Sequence, residues 1–322
     1  MSNLDRTPSL TQCGGLIDVA TQPVRELFQG REVQLGESTK VRRLLPNLGR
    51  RLVGAWCFVD HYGPDDIASA PGMQIPPHPH MGLQTVSWLL EGEIHHRDSI
   101  GSDDVIRPGV LGVMTSGAAI AHAEQSPPTH PARLHGVQLW VALPDEFRTV
   151  APGWDRHDDL PAITEGALNA TVFMGEVAGL HSPGRTFSPL VGVDMTIRQD
   201  GAVTFPLERA FEHAVLVLSG TADVDDVPLS PGAMLYLGMG RADLALKSGS
   251  GARLMLLGGV PFDEQIVMWW NFVARTSDEI AAARAEWMDG TAFGTVVGFA
   301  AADALAAPPL PPGRLRPGGR TR

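Results

Sequence analysis

The sequence predicts an all-β protein built from two copies of one β-unit, with a short helix near the C-terminus. The composition favours strands, because 36 Gly, 26 Pro and only 19% charged residues among 322 are typical of many turns and short extended segments. A strand with its glycine turn recurs, since "VSWLLEG" at 86–92 matches "AVLVLSG" at 214–220. Convincing helical periodicity is confined to 276–288. Hydrophobic residues make up 43% of the chain, which is enough for a proper core.

The first unit is predicted from apolar runs separated by turn residues. "RLVGAWCFVD" at 51–60 has strand length, and "HYGPDD" after it is expected to break the strand. Residues 84–98 predict two strands that meet at Glu91–Gly92, and Pro108–Gly109 predicts a turn before the next strand. A further strand is expected at 134–143.

The second unit follows the proline-bearing, acidic stretch at 152–162, which we interpret as an interdomain connection. Pro231–Gly232 in "LSPGAMLYL" corresponds to Pro108–Gly109 in "IRPGVLGVM". Two copies of one β-unit, with a shorter loop in the second, explain both matches.

The predicted helix at 276–288 has a capping residue at its start and one apolar face. Thr276 or Ser277 caps it and Glu279 falls in its first turn. Its apolar face consists of Ile280, Ala283 and Trp287. The end of the chain is rich in Pro, Gly and Arg, which predicts partial disorder.

The charge and the cysteine content exclude several classes of protein. A formal net charge of −11 would repel a phosphate backbone, so nucleic acid is not expected as a ligand. Cys13 and Cys57 form neither a disulfide framework nor a cysteine metal site, which fits a reducing compartment. There is no apolar run of the ~20 residues that a membrane span requires and no signal-peptide core, so we expect a cytoplasmic protein without a membrane partner.

Two pairs of polar residues with one-residue spacing predict a metal site in the first unit. His78 and His80 precede a strand and would project from one face, where two imidazoles form a clamp for a transition metal. His122 and Glu124 repeat the spacing after the Pro-Gly turn. If the two strands are neighbours, three neutral imidazoles and one carboxylate converge on a divalent ion and leave positions open for water, substrate or dioxygen.

The second unit provides an internal control for this prediction. The positions that align with the two pairs are Pro206 with Glu208 and Ala245 with Lys247. A scaffold that is used twice but carries ligands once is typical of a functional site placed on a fold, so we expect no metal in the second unit. His213 stands alone there and is interpreted as a structural histidine with its hydrogen bonds satisfied.

The remaining histidines are given structural interpretations. His95 and His96 begin a strand after a tight turn and are expected toward solvent, and His61 is expected to pair locally with Asp60. The others lie near loops or strand starts without a spaced partner: His130, His135, His157 and His181.

The motifs "HPHMGLQTVSWLLEGEIHHRDSIG", "IRPGVLGVMTSGAAIAHAEQ" and "HGVQLWVALP", in this order, resemble the pirin family, whose members are two-domain proteins of the cupin superfamily. The resemblance covers roughly residues 35 to 290 and implies two cupin β-barrels of the jelly-roll type in tandem. The expected divisions are an N-terminal extension at 1–34, a metal-binding barrel at 35–151, a linker at 152–170, a barrel without metal ligands at 171–275, a helix at 276–290 and a partly disordered tail at 291–322.

The resemblance implies that His78, His80, His122 and Glu124 are the metal ligands of the family, with Fe(II) the metal most associated with it. The same donors accept Mn, Ni, Zn, Cu or Co, so the residues alone do not select the divalent ion. Many cupins carry a carboxylate ligand where Gln84 stands, and we expect Gln84 to donate a hydrogen bond toward the site instead.

Some pirins resemble quercetin 2,3-dioxygenases, which implies an enzyme that cleaves a flavonol-like substrate with O2, with Glu124 as both ligand and proton acceptor. We expect the protein to be a monomer. The alternative is a redox-sensing regulatory protein that acts through a protein partner. A cupin isomerase or epimerase ranks last, because it would leave the four ligands unexplained.

Overall fold

A computed structural model describes residues 4–16, 19–35 and 39–311. The N-terminal half contains β1 (Thr11–Gly14), β2 (Glu26–Gln29), β3 (Arg31–Leu35), β4 (Thr39–Leu45), β5 (Trp56–Asp66), β6 (Gln74–His80), β7 (Leu83–Glu91), β8 (Ile94–Asp98), β9 (Asp103–Ile106), β10 (Leu111–Thr115), β11 (Ile120–Gln125), β12 (Arg133–Ala142) and β13 (Gly153–His157).

The C-terminal half is equally rich in strands. It contains β14 (Ala162–Glu165), β15 (Leu168–Val177), β16 (Leu180–His181), β17 (Leu190–Ile197), β18 (Gly201–Pro206), β19 (Glu212–Gly220), β20 (Ala222–Val224), β21 (Val227–Leu229), β22 (Ala233–Gly238), β23 (Asp243–Ser248), β24 (Ala252–Gly259), β25 (Gln265–Trp269), β26 (Phe272–Ala274), helix α1 (Ser277–Asp289) and one 3-10 turn (Ala301–Asp303). The all-β prediction is therefore confirmed. In the described ranges, no helix is both long and apolar enough to cross a membrane.

Apart from the small sheet β1-β25-β26, the strands form two pairs of antiparallel sheets, and the two pairs have matching strand orders. The first barrel, as we call the first pair, combines the order β13-β10-β7-β12-β5-β4-β3 with β6-β11-β8-β9. The second barrel combines β2-β22-β19-β24-β17-β15-β14 with β18-β23-β20-β21. The two Pro-Gly turns precede β10 and β22, which occupy the same place in their sheets, so the structure contains the repeat that the sequence predicts.

The two large sheets pack against each other through one shared hydrophobic cluster. Trp56 Nε1 donates to the carbonyls of Val191 and Gly258, each at 3.2 Å. Trp88 Nε1 donates to the Asp194 carboxylate at 2.9 Å. These hydrogen bonds run from indoles on β5 and β7 to residues of the other half. The two halves are therefore joined by directional hydrogen bonds as well as by apolar packing.

The segments predicted as extension and linker contribute strands to the sheets. β2 lies within 1–34 and pairs with β22 of the second barrel, while β13 lies within 152–170 and pairs with β10 of the first barrel. Each terminal strand satisfies the edge of a large sheet, where unpaired backbone groups would otherwise remain.

The expected strand break at "HYGPDD" is wrong, because β5 continues to Asp66. Its far end stays paired with β12, where Tyr62 lies opposite Gly136 and Asp65 opposite Leu134. Between these two pairs β5 has one residue more than β12, and this bulge accommodates Gly63 and Pro64. Long-range pairing therefore overrides the local turn signal.

Helix α1 has the predicted cap, since the Thr276 hydroxyl accepts from the Glu279 backbone N–H at 3.2 Å. Ile280 and Ala283 are buried, as predicted. The described part of the tail, 291–311, packs back on the first barrel, where Leu305 N–H donates to the Pro77 carbonyl at 2.8 Å. Partial disorder was predicted for the tail at 291–322, and the last part of it, 312–322, lies outside the described residues.

Candidate metal centre

The pairing of β6 with β11 brings the two predicted motifs together. His78 lies directly opposite His122, and His80 lies opposite Ile120. Because alternate residues of a strand share one face, the three imidazoles project into the same space inside the first barrel. One ligand nitrogen from each histidine lies within 4.8 Å of the other two. All three side chains are buried.

Each imidazole of this cluster is held through its Nδ1 atom. His78 Nδ1 donates to the Pro76 carbonyl at 2.9 Å, and His80 Nδ1 donates to the Asn271 carbonyl at 3.0 Å. His122 Nδ1 lies 3.3 Å from the Nδ1 atom of His96. These contacts fix the rings and leave Nε2 as the free atom, an arrangement typical of metal-ligating histidines.

The three Nε2 atoms are buried and have no hydrogen-bond partner in the described part of the chain. A buried polar atom without a partner is costly, on the order of 1–3 kcal/mol, so three that face one another require an explanation. A metal ion bound by all three satisfies them together. The side chains present thus fit a first-row transition metal.

Burial keeps these histidines in the form that binds metal. It lowers the pKa of His78 from 6.5 to about 4. Burial, together with the neighbouring His78, also holds the pKa of His80 and of His122 well below the ordinary value. All three imidazoles are therefore neutral near pH 7, so metal binding does not have to displace protons from them.

Glu124 lies on the same strand, two residues after His122, and is buried. It does not join the group of atoms within 4.8 Å that the histidines form. The β6–β11 register shifts here because β6 advances three residues, from His78 to Ile75, while β11 advances two, from His122 to Glu124. Ser87 Oγ donates to Glu124 Oε1 at 3.3 Å. The role of Glu124 as fourth ligand stays a prediction.

His96, expected toward solvent, is buried behind the cluster, so that expectation is wrong. Its ring stacks on Trp154 at 3.7 Å between centroids with an interplanar angle of 6°. Its Nε2 lies 3.2 Å from Asp98 Oδ2, and Asp98 in turn accepts from the backbone N–H groups of Ile100 and Ser102. Because the Asp98 carboxylate can only accept, it accepts from His96 Nε2–H. A neutral His96 then has its lone pair on Nδ1 and accepts from His122 Nδ1–H.

Sequence reasoning therefore missed two supports of the site. The only sequence signal for His96 is its place in "HHRD", because alternation along β8 predicts that one of the two adjacent histidines faces inward. The Asn271 carbonyl lies far along the chain, and no sequence signal marks a backbone group. The family motif did include His96, although without a role.

Gln84 does not donate toward the cluster. Its Nε2 donates to Thr115 Oγ1 at 3.0 Å and to the Arg185 carbonyl at 3.1 Å. Alternation along β7 places Gln84 on the face of Val86 and Trp88, which pack between the barrels, whereas Ser87 faces inward. The prediction for Gln84 was wrong because it extended the alternation of β6 through the turn at 81–82 into β7.

The second barrel lacks the cluster, although the equivalent residues differ from the expected ones. If Ala245 is aligned with His122, β18 register places Thr204 and Pro206 at the positions of His78 and His80. The expected Pro206 and Glu208 are displaced because β18 and β19 are joined by residues 207–211, a longer connection than 81–82 between β6 and β7. Neither alignment supplies a histidine.

Two other histidines form a pair that the sequence did not predict. His61 Nε2 lies 2.8 Å from His135 Nε2, and both side chains are buried. Asp60, the partner expected for His61, forms an ion pair with Arg43 at 2.7 Å instead. The expected local pairing is therefore wrong, because adjacent residues of β5 face opposite sides of the sheet.

The interior of the first barrel beside the cluster carries polar groups on an apolar wall. Trp140 lies opposite Thr85 and its ring centroid is 5.1 Å from that of His80. Trp140 Nε1 and Gln138 Nε2 are buried donors without a partner in the described ranges. A cavity of about 70 Å³ opens beside Trp140 and is partly lined by N-terminal residues, among them Pro8.

Comparison with known sequences identifies two matching family profiles. The profile described as Pirin matches residues 38–141, and the profile described as Pirin C-terminal cupin domain matches residues 192–294. A protein of Pseudomonas aeruginosa, provisionally named quercetin 2,3-dioxygenase, is 43% identical over 282 residues, which are 87% of this chain and 89% of that protein.

Comparison with solved structures gives the same relationship. A structure titled quercetin 2,3-dioxygenase from Acinetobacter baumannii is 39% identical with a TM-score of 0.87, and the match covers 91% of this chain and 97% of that one. A bacterial pirin of Escherichia coli, solved in complex with nickel(II), is 17% identical with a TM-score of 0.58 over 74% of this chain and 100% of its own, which shows a shared fold.

Proposed function

Because this chain belongs to the pirin family of two-domain cupins, we propose that it is a metal-dependent dioxygenase that cleaves quercetin-like flavonols, or a related enolisable aromatic compound, with O2. The observation that carries the proposal is the buried cluster of His78, His80 and His122 with three unpartnered Nε2 atoms. The similarity to proteins named for quercetin 2,3-dioxygenase supports the substrate class.

The proposed cofactor is one divalent ion, Fe(II), held by the three Nε2 atoms and by the carboxylate of Glu124. Such an ion would supply Lewis acidity and, as iron, redox chemistry toward dioxygen. Mn, Ni, Zn, Cu or Co fit the same donor set.

Glu124 is the proposed proton acceptor for the acidic hydroxyl of the substrate. Its carboxylate is buried in the first barrel, and the Ser87 hydroxyl donates to one of its oxygens, Oε1. A carboxylate that is within reach of the substrate hydroxyl accepts its proton without a solvent molecule.

Gln138 and Trp140 are the proposed orienting residues. Both project inward from β12, and both have a buried donor that lacks a partner in the described structure. A substrate rich in oxygen acceptors satisfies these donors, while the ring of Trp140, stacked on Phe58 at 4.0 Å, presents a flat apolar wall. A purely aliphatic substrate would leave both donors unsatisfied.

The proposed setting follows from the same features. We propose a small-molecule substrate and O2 as reactants, a monomeric and cytoplasmic protein, and neither nucleic acid nor membrane as a partner. The net charge of −11 supports the exclusion of nucleic acid.

The test compares wild type with His122→Ala under air, with quercetin loss and oxygen uptake measured together. We expect activity to fall to background in His122→Ala, because one of the three nitrogen donors is removed. His95→Ala is the matched control, since His95 lies on β8 but pairs with Asp103 at the surface. Equal activity in metal-free His122→Ala and in wild type would contradict the proposal.

Metal binding without any turnover of flavonols would instead favour the regulatory alternative. That alternative predicts a protein partner whose affinity differs between the Fe(II) and Fe(III) forms. Equal capture of partners by the two forms would contradict it.

A further inference from the structure

The second barrel has its own opening, created by an exchange of large and small residues between the two halves. In the first barrel the cross-strand pair is Trp140 opposite Thr85. At the equivalent place of β24 and β19, Gly258 lies opposite His213. The bulky indole is therefore replaced by no side chain, and the small hydroxyl residue is replaced by an imidazole.

Gly258 is needed for this arrangement because the imidazole occupies the space above it. A Cβ at position 258 would lie 2.6 Å from His213 Cδ2, closer than real Cβ contacts. Gly258 is in ordinary strand pairing with β17 and β19. A glycine is therefore required here because a side chain would not fit, and not because the backbone makes an unusual turn. The pair of residues thus holds the His213 ring at the mouth of the barrel.

A cavity of about 510 Å³ begins at this ring. Ligand pockets typically enclose about 300–1,000 Å³, so the cavity has room for a small organic molecule. Its apolar wall is formed by Val191, Leu207, Phe211 and Leu256. The Phe211 ring centroid lies 6.1 Å from that of His213, so an aromatic surface stands beside the imidazole.

His213 was expected to be a structural histidine with satisfied hydrogen bonds, and that expectation is wrong. Only 1% of the residue is exposed, and its Nδ1 has no hydrogen-bond partner in the residues that the structure describes. Burial lowers the pKa of His213 from 6.5 to about 4, so the ring is neutral near pH 7 and has one nitrogen able to accept a hydrogen bond. A ligand with an N–H donor satisfies it.

The charges around the cavity select the sign of the ligand. Glu176 and Glu208 line the mouth, and no lysine or arginine is among the described residues of the lining. Arg241, outside the lining, is the one cation whose charge acts on His213 among the described groups. Glu208 lies close enough to His213 to oppose the fall in its pKa. Two carboxylates at a partly apolar mouth attract an ammonium group and repel a carboxylate.

We propose that the mouth of the second barrel binds a small organic cation, an amine with an aromatic or apolar body, between His213, Phe211 and the carboxylate of Glu208. The body lies on the apolar wall, and the ammonium group donates to His213 and Glu208. This site is separate from the histidine cluster of the first barrel and does not depend on the dioxygenase proposal.

The test uses three probes of one shape, benzylammonium, benzyl alcohol and benzoate, titrated into the wild-type protein by calorimetry. We expect saturable binding of benzylammonium, at least about tenfold tighter than that of benzoate, as one charge-assisted hydrogen bond would give. Binding of benzyl alcohol that equals that of benzylammonium would overturn the proposed cation selectivity.

Variants locate the binding at this cavity. Ala210→Trp fills the mouth from an exposed position, and Glu208→Gln removes one charge; we expect the first to abolish binding and the second to weaken it about tenfold. Glu165→Gln, an exposed carboxylate on β14 outside the cavity, is the matched control. The imidazole ¹⁵N signals of His213 should shift on titration while those of His61 stay constant. Unchanged affinity in Ala210→Trp, or no saturable binding of benzylammonium to wild type, would overturn the proposal.

Discussion

His96 determines how His122 is presented to the centre of the first barrel. Its Nδ1 meets the Nδ1 of His122 at 3.3 Å, and its own position is fixed by Asp98 and by stacking on Trp154. His96 therefore sets the tautomer of His122 although it is not one of the three clustered histidines.

We predict that His96→Ala lowers metal affinity about 10- to 100-fold while the protein stays folded, because loss of such a support typically has that effect. Metal affinity is measured by competition with a chelator, and His95→Ala serves as the control, since His95 faces the other side of β8 and pairs with Asp103. An affinity in His96→Ala equal to that of wild type would show that His122 is held by other means.

The pair of His61 and His135 makes stability depend on pH. Burial, together with the charge of His135, lowers the pKa of His61 from 6.5 to about 3, and burial lowers that of His135 to about 4. Below pH 6.5 the unfolded chain takes up protons that the folded chain does not, so stability falls as pH decreases from about 6.5 toward 4.

We predict that His61→Leu combined with His135→Leu reduces this acid sensitivity. An apolar pair leaves no buried group that must stay neutral, and wild type should lose about 2 kcal/mol more per histidine between pH 7 and pH 5. Urea unfolding at the two pH values measures the difference. The same loss in the double variant and in wild type would assign the acid sensitivity to other buried histidines.

At the scale of elements, the N-terminal segment lines the small cavity beside Trp140, whose ring neighbours that of His80. Asp5, Pro8 and Ser9 line the cavity beside Trp140, which measures only about 70 Å³. That volume is far below the roughly 300 Å³ of a small ligand pocket. A flavonol that binds as proposed, and reaches the cluster past Trp140, requires this segment to move.

We predict that deletion of residues 1–9 raises kcat/KM for quercetin several-fold, mainly through a lower KM, because the segment no longer has to be displaced. Steady-state oxygen uptake measures the effect. Metal content should be unchanged, since the cluster on β6 and β11 lies outside the deleted residues. A higher KM after deletion would indicate that the segment contributes to substrate binding.

The elements also show how far local sequence patterns reach. Spacing along β6 and β11 predicted the histidine cluster, because alternation within a strand is a local property. The continuation of β5 through Pro64 was not predicted, because it depends on pairing with β12, more than sixty residues away in sequence. The wrong face was predicted for Gln84 for a similar reason. The alternation of β6 was extended through the turn into β7, although the sequence does not give the geometry of that turn.

At the scale of the whole molecule, the two barrels share their strand order and differ in what their interiors hold. The repeat was readable from glycine turns, which both copies keep. The sequence did not predict that β2 joins the second barrel and β13 the first, because the docking of the two halves decides which sheet edge each strand joins. The contact of His80 with the Asn271 carbonyl could not be predicted for the same reason, because Asn271 belongs to the C-terminal half.

Metal analysis of protein purified without oxygen tests the central claim most directly, with wild type compared to His78→Ala. Each wild-type chain should contain about one divalent ion, and His78→Ala should contain almost none, because His78 supplies one of the three facing nitrogen atoms. Far less than one ion per chain in both proteins, or the same full content in both, would contradict the assignment of the histidine cluster as a metal centre.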